Sequence, residues 1–297
     1  MTVVRLATRA SALARWQADH VAGLLTAAHP GLEVQVVPLS TEGDRRTDVA
    51  LSEIGGKGVF ATEVQAAVAD GRADAAVHSA KDLPARTPEG LELAAVPERG
   101  DPRDALVGCR LRDLPTDATV ATGSQRRRAQ LAQLRPDLRF AELRGNMATR
   151  LEKAAGFDAI VVAAVALERL GLADRLDDVL PVSLMVPQVA QGALAVECRS
   201  DDDRLRSLLA AIEDPAGRRT VDAERAFLDE LGGDCTLPAG AHAVLLEAGA
   251  VRVTGVLGHA EGPGRGARRA TEEGADGPAV GRAVAAALRD AAGTVGP

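Results

Sequence analysis

The sequence predicts an α/β protein built as two lobes of alternating strands and helices, with a smaller α+β unit at its end. Three observations carry this prediction. Short apolar runs alternate with helix-length amphipathic segments up to Val96. The turn-rich segment Pro97-Glu-Arg-Gly-Asp-Pro102 then interrupts the pattern, and a second alternating block follows it. Beyond the Gly/Pro-rich stretch around Pro238, a hairpin pattern and a final helix replace the alternation.

In the first block, Val3–Ala7 reads as a strand. Ser11 is suited to cap a helix running to about Ala28, with Leu13, Trp16, His20 and Leu24 on one face, and Pro30-Gly31 ends it. Glu33–Leu39 is the next strand. The polar, Gly-rich stretch Ser40–Gly58 is too long for a simple connection and reads as a functional loop. Val59–Asp70 is helical, Ala75–Val77 a buried strand that runs into Lys81-Asp82, and Leu91–Val96 another strand.

The second block gives a strand at Thr119–Ala121, a helix at Ser124–Arg135 ended by Pro136, and a strand at Leu138–Leu143. A helix at Met147–Ala155, a strand at Asp158–Ala163 and a short helix at Val165–Leu170 follow. The apolar Val189–Cys198 reads as a buried strand that returns the chain to the first lobe, before helices at Asp203–Ile212 and Arg218–Leu231. The tail carries a hairpin, Ala243–Glu247 with Val251–Leu257, then a charged loop Gly262–Gly277 and a helix Val280–Ala291. The expected domains are 1–97 with about 192–212, 98–191, and 213–297.

Composition narrows the function. A net charge of -7 and an aromatic content of 2% argue against a nucleic-acid binder, which needs positive surface and stacking platforms. Cys109, Cys198 and Cys235 make no CxxC or zinc-like spacing, so no metal is expected. Their odd number suits a reducing compartment, and no apolar stretch reaches membrane-spanning length. Arg5, Arg9 and Arg15 interrupt any signal-peptide core, and the weakly transit-like N-terminus reads as folded protein because a strand and a helix cap lie within it. A cytoplasmic monomer is expected.

The chemistry concentrates at strand-to-helix junctions. Arg9 in Ala7-Thr-Arg-Ala-Ser11, Arg126 and Arg127 in Thr122-Gly-Ser-Gln-Arg-Arg-Arg128, and Arg144 and Arg150 in Arg144-Gly-Asn-Met-Ala-Thr-Arg150 all sit at such junctions. Helix starts favour anions and the guanidinium fork binds carboxylates in bidentate fashion, so the pattern points to a ligand with several carboxylates. A solvated basic helix end is the alternative reading of any one cluster. Only three residues of the chain are lysine, which makes Lys81 beside Asp82 conspicuous at the carboxyl end of a strand, where α/β sheets bind ligands. Gly55-Gly-Lys57-Gly58 lacks the spacing of a nucleotide loop and reads as a lid that brings Lys57 to an anion. Cys109 and Cys198 look like core residues, Cys235 lies among turn residues, and His78 reads as a satisfied strand-end histidine.

Together these residues resemble the porphobilinogen deaminase (hydroxymethylbilane synthase) family along nearly the whole chain. The matching stretches are Ala7-Thr-Arg-Ala-Ser11 with Trp16-Gln17, Gly55-Gly-Lys-Gly58, His78-Ser-Ala-Lys-Asp-Leu-Pro84, and Asp101-Pro-Arg-Asp104. Arg126-Arg127, Leu143-Arg-Gly-Asn146 with Thr149-Arg150, Gln191-Gly192, Ala223-Glu-Arg225 and the Cys235 loop complete the set. Their number, order and spacing make chance similarity improbable.

The resemblance implies two lobes of the type II periplasmic-binding-protein kind with a cleft between them, and a third α+β domain carrying the cofactor cysteine. It implies a transferase of tetrapyrrole biosynthesis that joins four porphobilinogen molecules head to tail, with loss of ammonia, on a dipyrromethane cofactor. That cofactor would be held by a thioether at Cys235, with Lys81, Ser124, Arg126, Arg127 and Arg144 as its ligands. Arg9, Ser11, Gln17, Arg150 and Arg169 would bind substrate, Lys57 would lie on the lid, and Asp82 would be the central catalyst. An anionic pyrrole chain suits the arginines, and a carboxylate suits the cationic charge that develops when ammonia leaves.

The chain departs from the family pattern at three places. Ser11-Ala12 replaces Ser-Pro, Thr122-Gly123-Ser124 replaces Thr-Ser-Ser, and Gly233-Asp234-Cys235 replaces Gly-Gly-Cys. Asp234 sets a negative charge beside the thiol, which disfavours the thiolate. Two other readings use the same residues: a lyase with Lys81 as Schiff-base nucleophile, and a non-catalytic polycarboxylate-binding module, which leaves Cys235 unexplained.

Overall fold

A computed structural model describes residues 3–40, 61–232, 237–258 and 266–293. Most of the predicted lid, including Lys57, lies outside the described residues, as do Asp234 and Cys235. In chain order the strands are β1 (Val3–Arg9), β2 (Glu33–Leu39), β3 (Ala75–Ser79), β4 (Leu91–Ala95), β5 (Asp104–Val107), β6 (Thr119–Ala121), β7 (Arg139–Ala141), β8 (Ala159–Ala163), β9 (Asp178–Val179), β10 (Leu194–Arg199), β11 (Ala239–Leu245), β12 (Val251–Gly258) and β13 (Ala267–Gly274). The α-helices are α1 (Ala12–Ala28), α2 (Thr62–Ala69), α3 (Gln125–Leu134), α4 (Met147–Lys153), α5 (Ala164–Arg169), α6 (Asp203–Leu209), α7 (Pro215–Glu230) and α8 (Gly277–Gly293).

The chain divides into two compact units, Met1–Gly100 with Gly192–Arg219, and Asp101–Gln191 with Thr220–Pro297. The first is built on a five-stranded sheet of order β2-β1-β3-β10-β4. β1 runs parallel to β2 and β3, while the returning β10 is antiparallel to β3 and β4. Ala75, Val77, Leu194 and Val196 are buried with Leu6, Val21 and Leu25, which is why these strands read as unbroken apolar runs.

Ser11 caps α1 as its sequence predicts, its side chain accepting from the Ala14 N–H. The buried stripe is Ala14, Gln17, Ala18, Val21 and Leu25 rather than the Leu13–Trp16–His20–Leu24 face. Two alanines allow close approach to the sheet, and the larger face is left half-exposed, with Trp16 and His20 stacked at 5.1 Å.

The second unit repeats the arrangement with a sheet of order β7-β6-β8-β5-β9. β6 is parallel to β7 and β8, and β5 is antiparallel to β8 and β9. Strands β5 and β9 escape the sequence reading because they are short and begin with aspartate. The predicted strand Val189–Cys198 starts later, at Leu194, because Ala190 and Gly192 take positive φ angles of 57° and 91° and turn the backbone.

The same unit contains the antiparallel sheet β11-β12-β13. The predicted hairpin is β11–β12. The segment expected to be a charged loop instead contains β13, paired along its length with β12. Its polarity hides it, since it is an edge strand held by pairs such as Arg252–Glu273 and Thr254–Thr271 rather than by buried side chains. Buried Phe227, Val253, Val284 and Leu288 lie in this part of the unit. Gly281 lets α8 approach α7, since a Cβ there would overlap the Ala223 carbonyl.

Candidate active site

In the first unit the pairing of β1 with β3 sets their carboxyl ends side by side. Arg9 ends β1, and Ser11 follows it at the start of α1. β3 passes into a single 3-10 turn, Ala80–Asp82, because Pro84 supplies no N–H for a further strand. Arg9 Nη1 thereby stands 3.9 Å from Asp82 Oδ2, both side chains partly exposed. Lys81 is carried on the same turn and is half-buried. Gln17 is buried and donates from Nε2 to Ser79 Oγ at 2.7 Å, directly before the turn. Thr8 donates to the Ala14 carbonyl at 3.1 Å, tying β1 to α1. The structure therefore gathers Arg9, Ser11, Gln17, Lys81 and Asp82 at one end of the sheet.

Behind this turn His78 is buried 3.3 Å from Glu197, whose carboxylate also accepts from Gln65 Nε2 at 2.8 Å. His78 is a strand-end residue of the core as expected, but it is not the satisfied one expected: beyond the 3.3 Å approach to Glu197, its Nε2 makes no hydrogen bond among the described residues. Cys198 is also core, with burial, aided by neighbouring Glu92 and Asp202, pushing its thiol up to about 11. Cys109 is half-buried.

In the second unit β6 leads through Thr122-Gly123-Ser124 into α3. Ser124 caps α3, accepting from the Arg127 N–H. A serine hydroxyl that accepts at a cap keeps its own hydrogen to donate, so Ser11 and Ser124 can both still serve an anion. Gly123 sits close to Leu143 O and Glu142, where a Cβ would stand at 3.2 and 3.3 Å.

Arg126 and Arg127 are buried, at 3% and 6% exposure, rather than forming a solvated helix end. Both bind Asp104, which is fully buried at the start of β5. Arg126 Nη1 is 2.7 Å from Asp104 Oδ2, and Arg127 Nη2 is 2.8 Å from Oδ1. Burial would raise the Asp104 carboxyl, but the two guanidinium charges and their hydrogen bonds outweigh it and hold the group far below the usual carboxylate range. Burial likewise lowers Arg126. The sequence reading missed Asp104 as a site residue. Its signal was a lone acid opening the apolar run Ala105–Val107.

Arg128 turns away to the Thr122 carbonyl and Glu142. At the next junction Asn146 caps α4, and Gly145, at φ 108°, supplies the turn that a side chain would resist. Arg150 Nε donates to the Gly145 carbonyl at 2.9 Å, and Lys153 donates to the Arg144 carbonyl. Arg169 ends α5, where burial lowers it to about 10 despite the nearby Glu168. Among the described residues no cluster of His, Cys, Asp and Glu could hold a metal ion, and no helix is long and apolar enough to cross a membrane.

Two family models match the chain. "Porphobilinogen deaminase, dipyromethane cofactor binding domain" matches residues 4–207, and "Porphobilinogen deaminase, C-terminal domain" matches residues 218–290. The porphobilinogen deaminase of Chromobacterium violaceum is 45% identical over 296 residues, covering 98% of this chain and 96% of that one. That of Xanthomonas axonopodis pv. citri is 50% identical over 248 residues, covering 82% of each. Among solved structures, a TRAP periplasmic solute binding protein from Bordetella bronchispeptica is similar with a TM-score of 0.40 and 15% identity, over 78% of this chain and 83% of that one.

Proposed function

The chain belongs to the porphobilinogen deaminase family, and on that premise we propose that it is a hydroxymethylbilane synthase. It joins four porphobilinogen molecules head to tail, releasing one ammonia for each, and water frees the linear tetrapyrrole. A dipyrromethane attached to Cys235 through a thioether supplies, when bound, the pyrrole end on which the chain is extended.

The observation that carries this reading is Asp82 beside Arg9 and Lys81 at the ends of two adjacent parallel strands. Each porphobilinogen bears an acetate and a propionate, so the cations bind carboxylates and the acid is left for chemistry. In each addition a C–N bond to the amine breaks and a C–C bond forms. The Asp82 carboxyl hands a proton to the departing amine and accepts one from the ring carbon that forms the new bond, so it ends as it began. Its negative charge also stabilises the positive charge that develops on the pyrroles.

The residues suit an anionic cofactor. Arg126 and Arg127 together carry two positive charges against the one negative charge of Asp104, and the Arg126 Nε is buried with no hydrogen-bond partner among the described residues. Buried guanidinium groups with a surplus charge call for an anion. Arg126, Arg127, Ser124, Arg144 and Lys81 would hold the cofactor carboxylates, and Arg9, Ser11, Arg150 and Arg169 those of the substrate. Gln17 acts from beneath, through Ser79. Lys57 would meet an anion from the lid. We take the enzyme to act as a cytoplasmic monomer.

A coupled assay for ammonia release from porphobilinogen tests the reading. Release with formation of a linear tetrapyrrole is expected, and binding without ammonia would leave only a polycarboxylate-binding module. Borohydride reduction in the presence of a carbonyl substrate should leave Lys81 unmodified, whereas a trapped adduct on it would support the Schiff-base lyase.

A further inference from the structure

Asp104 is engaged on every side. Oδ1 accepts from Arg127 Nε at 3.1 Å, Arg127 Nη2 at 2.8 Å and Gln191 Nε2 at 2.9 Å, and Oδ2 accepts from Arg126 Nη1 at 2.7 Å. The carboxylate therefore has no room for a ligand of its own. The two arginines are constrained unequally. Arg127 places Nε and Nη2 on Asp104 and Nη1 on the Val161 carbonyl at 2.9 Å. Arg126 directs Nη1 to Asp104 and to the Val186 carbonyl at 2.6 Å, while its Nε is buried without a hydrogen-bond partner among the described residues.

We propose that Asp104 is a positioning residue of the cofactor site: it locks Arg127 in place, cancels one of the two positive charges, and turns Arg126 so that its unbonded edge meets a cofactor carboxylate. The inference rests on the reading of Arg126 and Arg127 as cofactor ligands. Gln191 adds to it, because its amide bridges the Pro102 carbonyl, at 2.7 Å, and Asp104, and so fixes the carboxylate against rotation. Gly240 of β11 adds a second constraint, since a Cβ there would stand 2.6 Å from Arg126 Cδ.

The test compares protein produced with and without porphobilinogen, by intact mass for the Cys235 adduct, by melting temperature, and by kcat and KM of the loaded enzyme. In Asp104→Asn two uncompensated guanidinium charges remain, so the apo protein should lose more stability than the loaded one. The melting gap between the two forms should then widen by a few degrees beyond that of the wild type. Asp104→Glu keeps the charge but displaces both arginines. It should fold and carry the adduct, yet lose about tenfold in kcat with KM changed less than about threefold. An unchanged melting gap in Asp104→Asn overturns the proposal, as does a kcat in Asp104→Glu within about twofold of wild type. If Asp104→Asn fails to fold, Asp104→Glu decides alone. Arg126→Gln separates the two levels of inference. A normal adduct with an unchanged melting gap in that variant would sink the reading of the pair as cofactor ligands. Loss of the adduct there, with wild-type behaviour of both Asp104 variants, would sink the role of Asp104 alone.

Discussion

Arg9 Nη1 stands 3.9 Å from Asp82 Oδ2, a distance at which charge is felt but no hydrogen bond is made. The two residues come from the carboxyl ends of β1 and β3, which the sheet sets side by side. A pair this loose and partly exposed contributes little to stability. In the proposed reaction the guanidinium meets a substrate carboxylate and Asp82 transfers the proton.

Asp82→Asn removes the proposed proton-transferring group without changing its size. The variant should retain the Cys235 adduct, seen by intact mass, and lose about 10²- to 10⁴-fold in kcat. Turnover close to wild type would transfer the acid–base role to another residue.

Arg9→Gln should act on binding more than on chemistry. Steady-state kinetics should show KM for porphobilinogen raised about tenfold, with a smaller change in kcat. A variant that lost kcat alone would place Arg9 in the reaction step instead.

Asp104 makes a prediction about acid stability. Its folded carboxyl lies below its unfolded value, so its contribution is present above the unfolded value and lost as pH falls toward the folded one. Denaturant titrations should give a wild-type advantage over Asp104→Asn that is constant above about pH 5 and shrinks below about pH 4. An advantage independent of pH would mean that the carboxylate charge is not what stabilises the arginine pair.

Burial separates two of the cysteines. With its thiol raised to about 11, Cys198 should resist alkylation in the native protein at about pH 8, while half-buried Cys109 reacts. Peptide mapping after iodoacetamide treatment distinguishes them. The Cys198 thiol also favours the folded state below its unfolded value, and that contribution fades as pH rises toward about 11.

Gly240→Ala tests the packing of β11 on the arginine pair. The added methyl would overlap the Pro187 carbonyl and press on Arg126 Cδ. A loss of about 1–3 kcal/mol in denaturant unfolding is expected. A neutral effect would show that this part of β11 can shift away from Arg126.

Much of the fold was legible because its signals are local. Ser11, read as a cap, does cap α1 through a hydrogen bond that spans three residues, and Ser124 and Asn146, which were not read as caps, cap the helices that follow them in the same way. The apolar runs of β3, β8 and β10 mark strands buried on both faces, whatever their neighbours in the sheet. β13 left no such mark, since an exposed edge strand has no apolar periodicity to read, and the buried face of α1 was set by small residues that a pattern of large ones conceals.

The site divides along the same line. Residue types and spacing placed arginines at three strand-to-helix junctions and an acid after β3. Packing determined what each arginine does: Arg9 stays loosely paired beside Asp82, while Arg126 and Arg127 are drawn inside onto Asp104. Gln191, far along the chain, closes on the same carboxylate. A cap or a periodicity is a property of neighbours in sequence. The strength and partner of a charge depend on how much water is excluded around it, and that is settled only when distant segments meet.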